Sequence, residues 1–249
     1  MNTLSGKTAL VVGGSRGLGR GVAEAFLGAG AAVVVLARDT SPLTELSAHS
    51  PLLHLEAADA CDRMVAGTLL EHYQPDILAL VAGATPLLRP LQHQTWETFS
   101  VNWDTDVRLT FNWLREALLL PLRPGSRIIV MSSGAAVKGS PMSGGYAGAK
   151  ATQRFMADYA AQESERSGLG ITVRAVLPQL TRATDLGRPA VAAYAARSGL
   201  SEEEYMAQLG DPVTPDIAGG AFVQLAFDGA DTDALAYLLT AGGLRPLSA

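Results

Sequence analysis

The chain has 249 residues, of which 48% are hydrophobic and 17% charged, enough for one large domain with a substantial core and too apolar for a disordered chain. Its net charge of −5 argues against nucleic acid or an anionic membrane surface as the main partner. A single cysteine, Cys61, excludes an intrachain disulfide and suits a reducing compartment.

In chain order, residues 8–12 form an apolar, partly β-branched run that reads as a strand. The turn Gly13-Gly14-Ser15-Arg16-Gly17-Leu18-Gly19 follows at once, and residues 21–27 read as a helix. Strand, glycine-rich turn and helix in that order let a backbone approach a pyrophosphate and offer it the amides of a helix N-terminus. Gly13, Ser15, Arg16, Gly17, Leu18 and Gly19 are therefore candidate dinucleotide contacts. Residues 32–37 form the second strand, and Arg38 stands just past its end. An acid near this point suits a free ribose 2′-hydroxyl, whereas an arginine accommodates a 2′-phosphate. The strand tip carries no acid, and Arg16 is a second cation within the glycine loop, so NADP(H) is expected over NAD(H).

Residues 52–57 read as the third strand, followed by Asp59 and a helix over 62–72. A fourth strand over 76–81 ends in Ala82-Gly83-Ala84, and a long helical segment over 95–119 contains Asn102. The strand 127–131 leads into Ser132-Ser133, and Tyr146 and Lys150 fall near the start of a helix that includes 149–164. Residues four apart share a helix face, so the phenol and the ammonium point the same way. A fixed cation favours a phenolate and brings a tyrosine, ordinarily near 10, closer to use as a proton donor and acceptor. Ser133 is placed to hydrogen-bond the same substrate oxygen. A sixth strand over 171–177 ends at Pro178-Gln179, residues 180–215 are irregular with short helices, 218–227 are helical, and a last strand over 234–239 precedes Gly242-Gly243. Alternating strands and helices with no internal repeat or linker predict a single α/β domain over 1–249, with a parallel sheet covered by helices on both faces.

The ordered set Gly13, Gly17, Gly19, Asp59, Ala82-Gly83, Asn102, Ser133, Tyr146, Lys150 and Pro178 resembles the short-chain dehydrogenase/reductase family over essentially the whole length. The resemblance implies a Rossmann-like sheet of about seven strands and nicotinamide-dependent interconversion of carbonyls and alcohols. It implies Tyr146 as general acid in reduction and general base in oxidation. Lys150 would hold the nicotinamide ribose and act on the tyrosine, Ser133 would bond the carbonyl, and Asn102 would help position a water in the proton relay. Asp59 and Ala60 would meet the adenine, the backbone of Val81, Ala82 and Gly83 the adenosine ribose, and Pro178 and Thr181 the nicotinamide carboxamide. The chain departs from the family pattern at Val12, Leu80-Val81, Gln179 and Ala183, which marks a divergent branch.

Ligands in such folds bind beyond the carboxyl ends of the strands. The segments facing a substrate there offer Leu87, Leu88, Val137, Met142, Leu186 and Tyr194, with Arg89, Lys138, Arg182 and Arg188 among them. A medium-sized, largely apolar ketone or aldehyde is the expected substrate, with residues 180–215 as a lid. The four histidines lack ligand spacing and no metal site is expected. The helical stretches over 102–119 and 149–164 resemble those through which the family associates, implying a homodimer or homotetramer. Residues 1–7 lack the apolar core of a signal peptide and no run reaches the length of a membrane span, so a soluble cytoplasmic protein is expected, with neither nucleic acid nor membrane as partner. The alternative is a catalytically silent NADP(H)-binding sensor or a partner subunit of the same fold.

Overall fold

The computed structural model describes residues 3–227 and 234–247. Met1 and Asn2 of the leader reading, and residues 228–233 and 248–249 of the single-domain reading, lie outside the described residues. Among the described residues, eight strands make one sheet: β1 (Thr8–Val12), β2 (Ala32–Ala37), β3 (Leu53–Ala57), β4 (Ile77–Leu80), β5 (Arg127–Met131), β6 (Thr172–Pro178), β7 (Ala236–Thr240) and β8 (Gly243–Pro246). Their spatial order is β3-β2-β1-β4-β5-β6-β7-β8. All pairings from β3 to β7 are parallel, and only β7 with β8 is antiparallel.

The expected sheet of about seven strands is present as the parallel set β1 to β7, with β8 added as an antiparallel edge strand. Thr240 pairs with Gly243 across a two-residue turn, and Gly243 adopts φ +94°. The Gly242-Gly243 pair, expected to follow the last strand, forms part of a tight hairpin into β8.

Among the described residues, ten α-helices accompany the sheet: α1 (Gly17–Gly28), α2 (Thr44–His49), α3 (Arg63–Tyr73), α4 (Trp96–Asn102), α5 (Arg108–Leu119), α6 (Ala135–Lys138), α7 (Tyr146–Arg166), α8 (Gly187–Ser198), α9 (Glu202–Leu209) and α10 (Pro215–Ala226). Side chains alternate along each strand, and both faces are buried. Val11, Val33, Val35 and Ile129 pack with Phe26 of α1 and Phe222 of α10. Their neighbours Leu10, Val12, Val34 and Ile128 pack on the other face with Leu109 and Trp113 of α5 and Ala157 of α7.

The long helix over 95–119 forms, but with a change of winding. Between α4 and α5, residues Trp103–Val107 make a π-helical segment directly after Asn102. One wide turn of this kind rotates the side chains that follow it and is frequent at functional sites.

On the opposite face α1 and α10 cross at glycines. A Cβ on Gly219 would lie 2.4 Å from the Gly21 carbonyl oxygen and 2.6 Å from the Ala25 Cβ. Gly219→Ala should lower the unfolding free energy by about 1–3 kcal/mol, because the overpacking outweighs alanine's better helix propensity. A urea unfolding midpoint equal to or above that of the unaltered protein would contradict this packing.

Candidate active site

The strand order reverses between β1 and β4, and the carboxyl ends of the parallel strands open there into a cleft of about 1020 Å³. Its floor is set by backbone contact. Gly13 has φ +94°, and a Cβ on it would sit 2.5 Å from the Ala82 Cα. The amides of Val81 and Ala82 both donate to the Val12 carbonyl, at 2.9 and 2.8 Å. Backbone bonds thus tie β4 to β1 although Leu80 and Val81 carry no polar side chains. The loop from Gly13 to Gly19 arches over this junction and leads straight into α1.

At one end of the cleft stand Arg16 and Arg38, both exposed, with Asp39, Asp59 and Ala60. The Asp39 carboxylate accepts from the Ser41 backbone N–H at 3.0 Å; bonds to Ser41, then the nearby Arg16 charge, hold it below the usual carboxylate range. Asp59 accepts from the Cys61 amide at 2.9 Å. Burial, then the Asp59 charge, raise the Cys61 thiol to about 11, so it stays protonated near neutral pH, in keeping with a packed residue rather than a nucleophile.

At the other end, β5 delivers Ser132 and Ser133, and α7 delivers Tyr146 and Lys150. Ser132 is buried and donates to the Lys150 carbonyl at 2.7 Å, which pins α7 against the strand end. Ser133 and the half-buried Tyr146 line the cleft. The Lys150 ammonium lies 5.7 Å from the Tyr146 ring centre. It donates to Gln153 Oε1 at 2.7 Å and more weakly to the Met131 carbonyl at 3.4 Å, and it pairs with Asp106 Oδ2 at 3.1 Å.

The cleft brings together every residue named from the sequence as catalytic or cofactor-binding except Asn102. Asn102 is fully buried beneath it, and its amide donates to the Ala84 carbonyl at 2.8 Å. Its Oδ1 is buried without a hydrogen-bond partner. Thr181 borders the cleft, but its hydroxyl donates to the Val213 carbonyl at 2.7 Å. Gln179 turns its amide to the Leu209 carbonyl and so fastens the end of α9 to the end of β6.

Of the expected substrate-facing residues, Leu88, Val137, Lys138, Leu186 and Tyr194 line the cleft, joined by Tyr205 and Leu209. Leu87, Met142, Arg89, Arg182 and Arg188 do not. Arg188 reaches Asp185 at 3.6 Å on the surface, and the Met142 amide donates to the Tyr194 hydroxyl at 3.1 Å. Tyr194 also bonds Ser140 at 2.6 Å and stacks on Tyr205 with 6.3 Å between ring centres, so α8 and α9 close over the cleft as one aromatic wall.

Asp106 is the residue that sequence reasoning missed. It is fully buried in the π-helical segment, and its Oδ1 accepts from the Ala84 amide at 2.7 Å and the Asn102 amide at 3.4 Å. The available signal was its place on the stripe Asn102, Asp106, Leu109, Trp113, where helical spacing puts a carboxylate on the core-facing side.

The site fits a nicotinamide dinucleotide. A backbone cradle that a Cβ would fill lies at its centre, cations stand at one end, and a tyrosine, a serine and a lysine converge at the other. Among the described residues there is no group of three or more His, Cys, Asp or Glu placed to hold a metal, and no helix long and apolar enough to cross a membrane.

Residues 7–195 match the profile of the short chain dehydrogenase family. A short chain dehydrogenase of Pseudocercospora fijiensis is 33% identical over 202 residues, covering 75% of this chain and 63% of that protein. A hydroxynaphthalene reductase of Aspergillus fumigatus is 30% identical over 84% of this chain and 80% of its own length. A 2,5-dichloro-2,5-cyclohexadiene-1,4-diol dehydrogenase of Sphingobium indicum is 30% identical over 76% and 78%. With this match laid over the cleft just described, the chain belongs to the short-chain dehydrogenase/reductase family and is an oxidoreductase of the kind that works with a nicotinamide cofactor.

Proposed function

We propose that this protein is an NADP(H)-dependent oxidoreductase that interconverts a carbonyl compound and its alcohol, with Tyr146 as the general acid and base. The observation that carries the reading is the convergence of Ser133, Tyr146 and Lys150 at the end of the cleft opposite the two arginines. The cofactor, when bound, supplies or accepts the hydride. Ser133 and Tyr146 then donate hydrogen bonds to the oxygen on which negative charge develops, and Tyr146 delivers its proton there in reduction or removes it in oxidation. Lys150 contributes a fixed positive charge beside the phenol and a hydrogen bond to the nicotinamide ribose. Gly13, Ser15, Gly17, Leu18, Gly19 and the backbone of Val81, Ala82 and Gly83 hold the dinucleotide, with Asp59 and Ala60 at the adenine and Pro178 and Thr181 at the carboxamide. Asn102, which holds the Ala84 carbonyl from beneath the cleft, helps position a water in the proton relay.

The substrate proposal is a medium-sized, largely apolar ketone or aldehyde, supported by Leu88, Val137, Leu186, Tyr194, Tyr205 and Leu209 around the cleft. The segment over 180–215 acts as its lid, with Tyr194 as the latch. Relatives named for hydroxynaphthalene and a cyclohexadienediol make cyclic carbonyl compounds the first members of a test panel. The single cysteine suits a reducing compartment, and the reading extends to a cytoplasmic enzyme.

Two copies of the chain are proposed to associate through α5 and α7. Phe111, Phe155 and Tyr159 are each at least half exposed there, and Phe155 stacks on Tyr159. Exposed aromatics grouped on adjacent helices are unfavourable in water and suit a self-complementary contact.

The functional test is oxidation of NADPH by purified protein across the carbonyl panel. Tyr146→Phe should lower kcat by about a hundredfold or more while the cofactor still binds; unchanged turnover in that variant would contradict the role given to Tyr146. NADPH binding without turnover of any compound would favour the silent sensor. Arg38→Ala should weaken NADPH binding about ten- to a hundredfold, as expected for lost charge-assisted contacts, and leave NADH nearly unaffected. Equal losses for both nucleotides would remove Arg38 from the 2′-phosphate. In light scattering, the unaltered protein should be a dimer or tetramer, and Phe155→Glu should shift it towards monomer. A monomeric unaltered protein would end the proposal of self-association.

A further inference from the structure

We infer that Asp106 is a positioning residue that keeps the buried Lys150 charged and aimed at the tyrosine end of the cleft. The inference rests on the reading of Lys150 as the site's functional cation. It begins from the cost of an ammonium away from water. Lys150 is 5% exposed and Asp106 is 0% exposed, and burial without a counter-charge drives a lysine towards its neutral form. Three protein groups surround the ammonium: the Gln153 amide oxygen at 2.7 Å, the Met131 carbonyl at 3.4 Å, and Asp106 Oδ2, its ion-pair partner, at 3.1 Å. Only Asp106 among the three carries a charge.

The carboxylate is itself held from several directions. The Ala84 amide and the Asn102 side chain both donate to its Oδ1, leaving Oδ2 turned to the ammonium. Gln153, the second partner of Lys150, donates in turn to the Asp106 carbonyl at 3.2 Å and to Thr110 Oγ1 at 2.6 Å. The π-helical segment brings its aspartate to Lys150 and its carbonyl to Gln153, so one irregular turn supplies both constraints.

The charged and titratable groups facing this pair are few. Tyr146 lies on the ammonium's own helix. Cys61, on the loop before α3, comes within electrostatic reach of Asp106 and is protonated near neutrality. Asp104 and Arg108 flank the pair but are exposed and lie 3.8 Å from each other. From β5 the pair meets the Met131 carbonyl. Burial pulls the Lys150 ammonium down most strongly, but Asp106, Tyr146 and the hydrogen bond to Asp106 together outweigh it, and the lysine ends above its ordinary value.

The sign of the consequence follows from proton linkage. With Asp106 present, folding favours the protonated lysine, and that stability is lost only as pH rises beyond the ordinary lysine value of about 10.4. In Asp106→Asn, burial outweighs the remaining influence of Tyr146, and Lys150 titrates below its unfolded value. The folded variant then releases a proton that the unfolded chain keeps, so its stability rises with pH over that interval.

The experiment compares thermal unfolding and NADPH affinity of the two proteins in steps between pH 6 and about 10, the range in which a buried lysine titrates. Relative to the unaltered protein, Asp106→Asn should gain in Tm as pH rises, while its NADPH affinity falls about tenfold or more over the same interval. Other groups titrate alike in both proteins and cancel in the difference. Parallel Tm curves would overturn the inference. If Asp106→Asn fails to fold at neutral pH, the double variant Asp106→Asn, Lys150→Met decides. Folding of the neutral pair would trace the failure to an unpaired ammonium, as proposed. Failure of both would assign Asp106 to the Ala84 amide alone and overturn the inference. The Tm comparison uses no substrate, so absence of turnover in the unaltered protein would strike the oxidoreductase reading without touching this one.

Discussion

The close approach of two strand ends governs the rest of the structure. Gly13 at the end of β1 lies against Ala82 at the end of β4 with no room for a side chain between them. The chain leaves β1 towards one face of the sheet and β4 towards the other, because the strand order reverses at this pair. The resulting crevice opens at the carboxyl ends of the strands. A glycine loop must arch over it, and a helix N-terminus must follow. The cleft-lining residues from Arg38 to Pro178 are placed relative to that junction.

The second constraint is electrostatic. A cation beside a phenol is useful only if it stays a cation, and the fold has buried this one among α7, β5 and the π-helical turn. The neighbouring acceptors are therefore a condition of the site. Lys150 has Asp106, Gln153 and the Met131 carbonyl, and Gln153 has Thr110 and the Asp106 carbonyl. Geometry and charge are solved by the same few residues. The wall of Tyr194, Tyr205 and Leu209 lines the same cleft as this polar group.

Much of this was legible in the sequence. Apolar runs bounded by turn residues mark the parallel strands within a residue or two, because both faces of each strand are buried and demand hydrophobic side chains. The glycine loop and the Tyr146–Lys150 spacing are local, and local chemistry reads well from a linear chain. Asp106 was harder. It is an ordinary acid in a helical stretch, and its meaning depends on Lys150, 44 positions later, and on a change of helical winding that no composition announces. The β7–β8 hairpin was lost because Gly242-Gly243 is equally good as a terminator and as a turn. Arg89, Arg182 and Arg188 sit on segments near the cleft but do not line it; where a long flexible side chain comes to rest is decided by tertiary neighbours.

The function proposed for this cleft turns on hydride transfer between a nicotinamide and a carbonyl carbon. The most direct test is to supply NADPH carrying deuterium at its transferable position with a carbonyl compound from the panel, and to weigh the product. The expected product is an alcohol bearing that deuterium at the former carbonyl carbon. An alcohol formed without the label, or nucleotide bound and never oxidised, would contradict it.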